Sequence, residues 1–381
     1  MRIAINTRLL IKNKLEGIGW FTFETLKRIT NNHPEHQFFF LFDRKPHPDF
    51  IFAPNVKAVV LPPQARHPIL WYLWFEISVY RYLKRNRIDL FVSPDGYISL
   101  RSKVQALVVM HDINFYHFPE GVPPLTRFYY NYYFPRFARK AARVVTVSSY
   151  SKEDIVRNFG VSPDKISVAY NGANDAFAPL TEEGVMEARN LFVQGKPYFV
   201  FVGALSPRKN VARLIRAFDI FLAASKLDYK LLIVGEPMFM TSDIKEAIGD
   251  LKDRETVVFT GRLQIDKLRL AVGGAAALVY VPYFEGFGIP LVEAMRCHIP
   301  IIASNRTSIP EVAGDAAYYV DPFDVESIAN ALKLIATDPK LRDALVAKSA
   351  VRKYIFSWDK TAIALFAAME ELLPTLKEQN A

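Results

Sequence analysis

The sequence predicts an α/β protein made of two doubly wound parallel sheets. Three observations carry this reading. The chain has 381 residues, room for two or three domains at roughly 100–200 residues each. Short β-branched or aromatic runs alternate with longer amphipathic stretches, as parallel-sheet construction requires. That rhythm halts at the turn-rich, apolar-poor stretch 171–180 (NGANDAFAPL) and then begins again.

In the first half the predicted strands are Ile3–Asn6, Gln37–Phe42, Val56–Leu61, Leu90–Val92, Ala106–Met110 and Val144–Val147, with helices near 20–31, 70–86, 124–142 and 150–158. In the second half they are Tyr198–Val202, Leu231–Val234, Val257–Phe259, Ala277–Val281 and Ile301–Ala303, with helices near 209–224, 241–252, 264–272, 290–297 and 323–337. The domain linker falls in the stretch 171–180, with the boundary after residue 175. There is no short-period repeat and no low-complexity segment. Open α/β sheets bind ligands at the carboxyl ends of their strands, so residues just after strands are the ones to inspect.

Composition excludes several classes. With 51% hydrophobic and 23% charged residues the chain is not disordered. Cys297 is the lone cysteine, which excludes a disulfide scaffold and fits a reducing compartment. No run reaches the ~18 apolar residues of a membrane span; the richest, Ile69 to Tyr80, is interrupted by Glu76. The opening MRIAINTRLL lacks a signal-peptide core, and the expectation is a cytoplasmic protein. The net charge of +9 is uneven: residues 1–175 hold 24 Lys+Arg against 14 Asp+Glu, whereas the remainder holds 24 against 25. Anionic partners are therefore expected on the first half.

The strongest motif is Tyr283-Phe284-Glu285-Gly286-Phe287-Gly288-Ile289-Pro290-Leu291-Val292-Glu293. A strand ends near Val281, a Gly-punctuated turn follows, and Pro290 suits the start of a helix. The amides of about Gly286–Leu291 are then expected to face an anion, assisted by the helix dipole. Glu285 before the turn and Glu293 one turn into the helix can face one crevice. Two carboxylates flanking an anion site make poor phosphate ligands and good acceptors for sugar hydroxyls on either side of a diphosphate. The bland alternative has Glu293 capping the helix and Glu285 solvated.

Directly after the first strand of the second half comes Phe201-Val202-Gly203-Ala204-Leu205-Ser206-Pro207-Arg208-Lys209-Asn210. Gly203 permits close backbone approach, and Arg208 and Lys209 are expected to open the next helix, an unfavourable place for cations unless an anion lies nearby. In the first half, Met110-His111-Asp112-Ile113-Asn114 places His111 and Asp112 at a strand's carboxyl end, and Glu16-Gly17-Ile18-Gly19-Trp20 forms a loop in which Gly17 and Gly19 let amides approach a ligand.

The E-x7-E element with Gly-Phe-Gly inside it resembles glycosyltransferase family 4 (group 1), the retaining GT-B enzymes, and the whole chain looks mannosyltransferase-like. The resemblance is strong over 198–361 and fair over 1–175. It extends to His111-Asp112 running into NFYHFPE, to IPEVAGDAAYYVDPFDVESIANAL (309–332), and to Phe356-Ser357-Trp358-Asp359-Lys360-Thr361, similar to the start of a final helix that crosses back onto the first domain. It implies two Rossmann-like domains with an inter-domain cleft: residues 1–175 for the acceptor, 176–357 for the nucleotide sugar, and 358–381 crossing back. It implies that Glu285 contacts the donor sugar and Glu293 the ribose, and that Gly203, Gly286, Phe287, Gly288, Ile289, Gly17 and Gly19 line the donor site. Arg208 and Lys209 would neutralise the leaving diphosphate, His111 would lie at the donor sugar, and Asp112 near the acceptor. One departure is Ala204, where many members carry Arg; Arg208 is expected to substitute from a neighbouring position.

No Asp-x-Asp and no Cys/His cluster of metal spacing occurs in the sequence, so metal-independent transfer without a cofactor is expected. A basic, aromatic stretch runs from Gly121 to Lys152 without one acidic residue, and a second from Trp71 to Arg87. Much of this aromatic content must be core; the two readings are helices packed on a sheet and a surface for anionic headgroups on the inner face of a cell membrane. No nucleic-acid motif accompanies it. The function expected is transfer of a hexose, with a lean toward mannose from GDP-mannose, from a nucleotide diphosphate sugar to a glycan or lipid-linked acceptor in cell-surface polysaccharide synthesis. The alternatives are a nucleotide-sugar epimerase of GT-B-like fold and a non-catalytic sugar-nucleotide-binding protein.

Overall fold

The computed structural model describes residues 1–236 and 241–373. The chain divides into two compact units, Met1–Gly172 together with the described residues from Ser357 onward, and Ala173–Phe356. Of the expected segment 358–381, residues 374–381 lie outside the described residues.

The first unit is built on β1 (Arg2–Asn6), β2 (Gln37–Phe42), β3 (Val56–Val60), β4 (Leu90–Ser93), β5 (Gln105–Val109), β6 (Arg143–Thr146) and β7 (Ile166–Val168). These form one parallel sheet in the order β3-β2-β1-β4-β5-β6-β7. Near-continuous apolar strands such as QFFFLF mark a sheet covered on both faces. Helix Gly17–Asn32 packs against helix Trp358–Glu370 within this unit: Arg28 Nε donates to Asp359 Oδ1 at 2.5 Å, and the His33 ring stacks on Phe366 at 3.4 Å.

The second unit repeats the plan with β8 (Tyr198–Val202), β9 (Lys230–Val234), β10 (Val257–Gly261), β11 (Ala277–Tyr280), β12 (Ile301–Ser304) and β13 (Tyr318–Val320). Its parallel order is β10-β9-β8-β11-β12-β13. In each sheet the strand order reverses once, between β1 and β4 and between β8 and β11. The crevice outside the carboxyl ends at such a reversal is where open α/β sheets hold ligands.

Two strands and two long helices are among the elements that escaped the sequence reading. β7 and β13 are three residues long, too short to show a period. Helices Glu182–Val193 and Pro339–Arg352 bury only Ala188 and Val193, and Leu345 and Ser349, so their apolar stripes are thin. The expected helix 70–86 is present as Pro68–Leu73 and Tyr80–Arg85 joined by a π-helical turn, Trp74–Val79.

Glu76 sits in that π turn, buried, with its carboxylate accepting from Ser99 Oγ (2.9 Å), Leu100 N (2.7 Å) and Arg101 N (3.3 Å). It anchors the approach to β5, and its removal would strand the Leu100 amide, while Arg101 N keeps Ser99 Oγ at 3.2 Å. Glu76→Ala is expected to lower unfolding free energy by about 2–4 kcal/mol, read as a lower midpoint in urea.

Candidate active site

Each unit presents its site residues at the reversal of its sheet. In the first unit, the chain leaves β5 at Met110 and reaches His111, whose Nε2 lies 3.0 Å from the carbonyl oxygen of Pro94, beyond β4. A carbonyl only accepts, so Nε2 carries the proton and Nδ1 keeps its lone pair. The Phe21 ring meets the imidazole edge-on at 4.9 Å. Burial pushes the His111 pKa down, which favours the neutral ring.

Asp112 is differently employed. Its Oδ1 accepts from Asn114 N at 3.0 Å and Asn114 Nδ2 at 2.5 Å, starting the short helix Asn114–His117. Gly17 and Gly19 do not stand in an open loop as expected: the helix begins at Gly17, and Gly19 is buried in its first turn. The cause is local. Trp20 N already bonds Glu16 carbonyl at 2.7 Å, so the glycines take helical geometry and present uncapped amides rather than a flexible loop.

In the second unit, Arg208 and Lys209 do not open the following helix. They form a separate 3₁₀ turn, Pro207–Lys209, and the helix starts at Val211 after Asn210 adopts a left-handed conformation. Asn210 stabilises this break by donating through Nδ2 to the carbonyls of Val281 (3.0 Å) and Pro322 (2.7 Å). The turn therefore aims both cations at the end of β11.

There they converge on Glu285. Arg208 Nη1 donates to Glu285 Oε2 at 2.9 Å and to the Phe284 carbonyl at 3.1 Å. Lys209 Nζ pairs with the same Oε2 and lies 2.5 Å from the Tyr280 hydroxyl, which itself donates to Oε2 at 2.9 Å. Burial alone would push the Glu285 carboxyl up, but Lys209 and Arg208 outweigh it and hold the pKa at about 2. Two cations and one carboxylate leave one net positive charge. Gly203, ending β8, lies beside this cluster: a Cβ there would stand 3.9 Å from Lys209 Cε.

The Glu285 backbone is held from a third loop. Its amide donates to Thr307 Oγ1 (3.2 Å), and its carbonyl accepts from Ser308 Oγ (2.8 Å). Gly286 and Phe287 follow, buried, and Gly288 caps helix Ile289–Cys297 at φ 96°, a conformation glycine adopts without steric cost. Leu291 was expected to offer a free amide; instead its N–H bonds the Gly288 carbonyl at 3.0 Å, because the first turn closes tightly. The donors left to the helix start are those of Gly288 and Ile289, Pro290 having none. Glu293, one turn in, is half-buried, and burial pushes its pKa up to about 8. It lies near enough to help raise the Tyr280 phenol, whose pKa burial and Glu285 already push well up.

Residues 16–177 match the family Glycosyltransferase Family 4, and residues 185–352 match Glycosyl transferases group 1. The chain is a family 4, group 1 glycosyltransferase.

The O-antigen chain mannosyltransferase B of Escherichia coli is 28% identical to this glycosyltransferase over 274 residues, 71% of each chain. The O-antigen chain mannosyltransferase RfbU of Salmonella typhimurium is 27% identical over 315 residues, 81% of each. Among solved structures, WaaG, a glycosyltransferase involved in lipopolysaccharide biosynthesis, aligns at TM-score 0.73 and 17% identity over 96% of this chain and 98% of its own. Anabaena Alr3699/HepE, solved with UDP and glucose, aligns at 0.75 and 16% over 97% and 100%. The fold is GT-B.

Within the second unit the glycosyltransferase brings together Gly203, Arg208, Lys209 and Glu285. Within the first unit, His111 is fixed by the β4 turn, while Asp112 spends one oxygen on its own turn. Sequence reasoning missed Tyr280, Asn210, Thr307 and Ser308. Tyr280 reads as a core strand residue, Thr307 and Ser308 lie outside recognisable spacing, and Asn210 closes the Arg-Lys motif without being given a role there. An Asn ending the Arg-Lys turn was the available clue, since Asn tolerates left-handed geometry.

Glu293 supplies a pH test. Its folded pKa near 8 exceeds the unfolded value of 4.5, so the unfolded chain releases the proton first as pH rises. The contribution of this group to stability is full below pH 4.5 and lost by about pH 8. Glu293→Gln is expected to remove that part of the decline in Tm, measured by thermal unfolding without ligand across this range.

Proposed function

We propose that this glycosyltransferase moves a hexose, mannose from GDP-mannose being the favoured donor, to a glycan or lipid-linked acceptor in cell-surface polysaccharide synthesis, with retention of anomeric configuration. The observation that carries the reading is the convergence of Arg208, Lys209 and Tyr280 on a single oxygen of Glu285 at the reversal of the second sheet. Arg208, Lys209 and Tyr280 all meet Oε2, and we assign Oε1 as the acceptor for a sugar hydroxyl. The names of the O-antigen mannosyltransferase relatives support the mannosyl assignment.

In this reading the glycosidic C–O bond to the diphosphate breaks through an oxocarbenium-like state, and negative charge grows on the departing oxygen. Arg208, Lys209 and the amides at the start of helix Ile289–Cys297 stabilise that charge as it develops, usually the largest catalytic contribution. The acceptor hydroxyl attacks the same face, and its proton passes to the departing phosphate oxygen. Glu285 binds the sugar, Glu293 the ribose, and neutral His111 accepts from a donor-sugar hydroxyl through Nδ1. The amides of Gly17 and Gly19 approach the donor, and Asp112 uses its second oxygen toward the acceptor. Arg208 stands in for the arginine that Ala204 replaces. The lack of any Asp-x-Asp in the sequence supports transfer without a divalent ion.

Glu285→Ala and Lys209→Ala are each expected to lose ~10²-fold or more in turnover while circular dichroism stays native. Wild-type activity is expected to survive chelator treatment, and GDP-mannose to raise Tm more than UDP- or ADP-sugars in the same assay. Near-normal turnover in both variants would refute the site. Turnover of donor with no acceptor present would favour an epimerase instead.

The basic first half fits a lipid surface, which we take as the setting of a lipid-linked acceptor. Of its large apolar side chains Tyr129, Phe134, Phe137, Trp74 and Phe75 are core, whereas Leu125, Phe128 and Tyr132 project from helix Pro124–Lys140 at 52%, 64% and 42% exposure. Tyr72 adjoins through Tyr133, and Arg127 is exposed on the same helix. No helix among the described residues is long and apolar enough to cross a membrane. Binding to anionic vesicles is expected to fall with salt and in Phe128→Ser/Tyr132→Ser; equal sedimentation with neutral vesicles would contradict it.

A further inference from the structure

We infer that Arg8 and Asp95 are positioning residues for His111, locking the Ser93–Gly96 turn so that the Pro94 carbonyl holds the imidazole as its Nε2–H tautomer. The functional half of this inference rests on the proposed role of His111 at the donor sugar.

The turn is defined by its own sequence. Ser93-Pro94-Asp95-Gly96 closes with Gly96 N on the Ser93 carbonyl at 3.4 Å, Pro94 suits the second position, and Gly96 takes φ 85°. Proline has no N–H, so Pro94 donates no hydrogen bond of its own to hold the turn. The neighbouring side chains do. Asp95 is buried, and both of its oxygens are engaged: Oδ2 by Arg8 Nε at 2.8 Å, Oδ1 by Asn6 Nδ2 at 2.6 Å and Ser93 Oγ at 3.1 Å. Asn6 also donates to Ser93 Oγ at 3.1 Å, and its own Oδ1 accepts from the Arg8 amide at 3.3 Å.

The carboxyl end of β1 is thereby bound to the turn after β4. Arg8, itself buried, lies with its Cζ 4.4 Å from the Tyr97 ring centre. A buried ion pair is a poor source of stability, because apolar residues of similar volume commonly serve as well. Its value here is geometric: it fixes the atoms on both sides of Pro94. The Pro94 carbonyl then meets His111 Nε2 at 3.0 Å, and Phe21 closes the ring's edge. Only a fixed carbonyl can select one neutral tautomer, and only that tautomer offers Nδ1 to a hydroxyl.

The test reads the ring directly. In ¹⁵N-labelled full-length protein, the His111 imidazole correlations are assigned by their loss in His111→Gln. Wild type is expected to show one tautomer, protonated at Nε2. Asp95→Asn leaves a buried cation unpaired at a large cost in stability, so Arg8→Gln/Asp95→Asn, which removes both charges together, is measured beside it. The expected outcome in the folded variant is exchange between tautomers, with kcat down roughly tenfold to a hundredfold and native circular dichroism. A single Nε2–H tautomer in the double variant would overturn the inference. So would wild-type turnover with a mixed-tautomer ring, provided His111→Gln is itself impaired. Wild-type turnover in His111→Gln would instead sink the proposed role of His111, leaving the tautomer measurement to judge the positioning claim alone.

Discussion

A single carboxylate oxygen organises the second unit. Glu285 Oε2, in the loop after β11, gathers an arginine, a lysine and a tyrosine from two other stretches of chain: the turn after β8 and the end of β11. Left unpaired, each buried charge would be strongly destabilising. Together they satisfy one another, and Glu285 stays ionised at any pH near neutrality. The consequence for chemistry is preorganisation. Cations already oriented by a carboxylate need little rearrangement when an anionic group arrives.

The two units solve the same construction problem in different currencies of charge. Each has a parallel sheet whose order reverses once, and each crowds polar side chains onto the strand ends at that reversal. In the second unit the cluster is exposed enough to act: Arg208 keeps 23% of its side-chain surface and Glu285 13%. In the first, Arg8 and Asp95 keep 8% and 4%. The same ion-pair chemistry thus works at two depths. Arg208 and Glu285 lie near enough to the surface to meet a ligand, with Lys209 at 8% behind them. Arg8 and Asp95 are both deep and both Asp95 oxygens are taken, which is why Asp95 reads as a scaffold for Pro94 and His111 rather than as a ligand.

Strands of five or six apolar residues were legible from the sequence because both faces of a covered parallel sheet demand apolar side chains. QFFFLF and YFVFV admit no other reading. What was not legible depends on contacts between distant segments. β7 and β13 are strands because a neighbour pairs with them, not because ISV or YYV carries a period. The site divides the same way. Glu285, Glu293, Arg208 and Lys209 announce themselves by placement after strands, whereas Tyr280 looks like any core aromatic until Lys209 and Glu285 are seen to meet its hydroxyl. The break between Lys209 and Val211 was missed because amphipathic periodicity continues through it. Only the left-handed Asn210, tied to Val281 and Pro322, stops the helix there.

The aromatic wealth of the first half shows how composition can be right in kind and too generous in extent. Between residues 121 and 152 the sequence interleaves aromatic and basic side chains without an acid, and taken whole this could be a broad adhesive surface. Packing divides it. Tyr129, Phe134 and Phe137 join Trp74 and Phe75 in one aromatic core against the sheet, with Trp71 stacked on Tyr130 at an interplanar angle of 2°. Helical geometry forces that outcome: a helix lying on a sheet must turn one stripe inward, and residues 130, 134 and 137 lie on it. Leu125, Phe128 and Tyr132 fall on the opposite stripe and remain outside. The apolar surface available to any partner of this helix is therefore three side chains wide, flanked by Arg127, and Arg136 is partly withdrawn from it by lying 3.5 Å over the Tyr132 ring. Attraction across such a narrow apolar strip must come largely from charge, so it must weaken with salt.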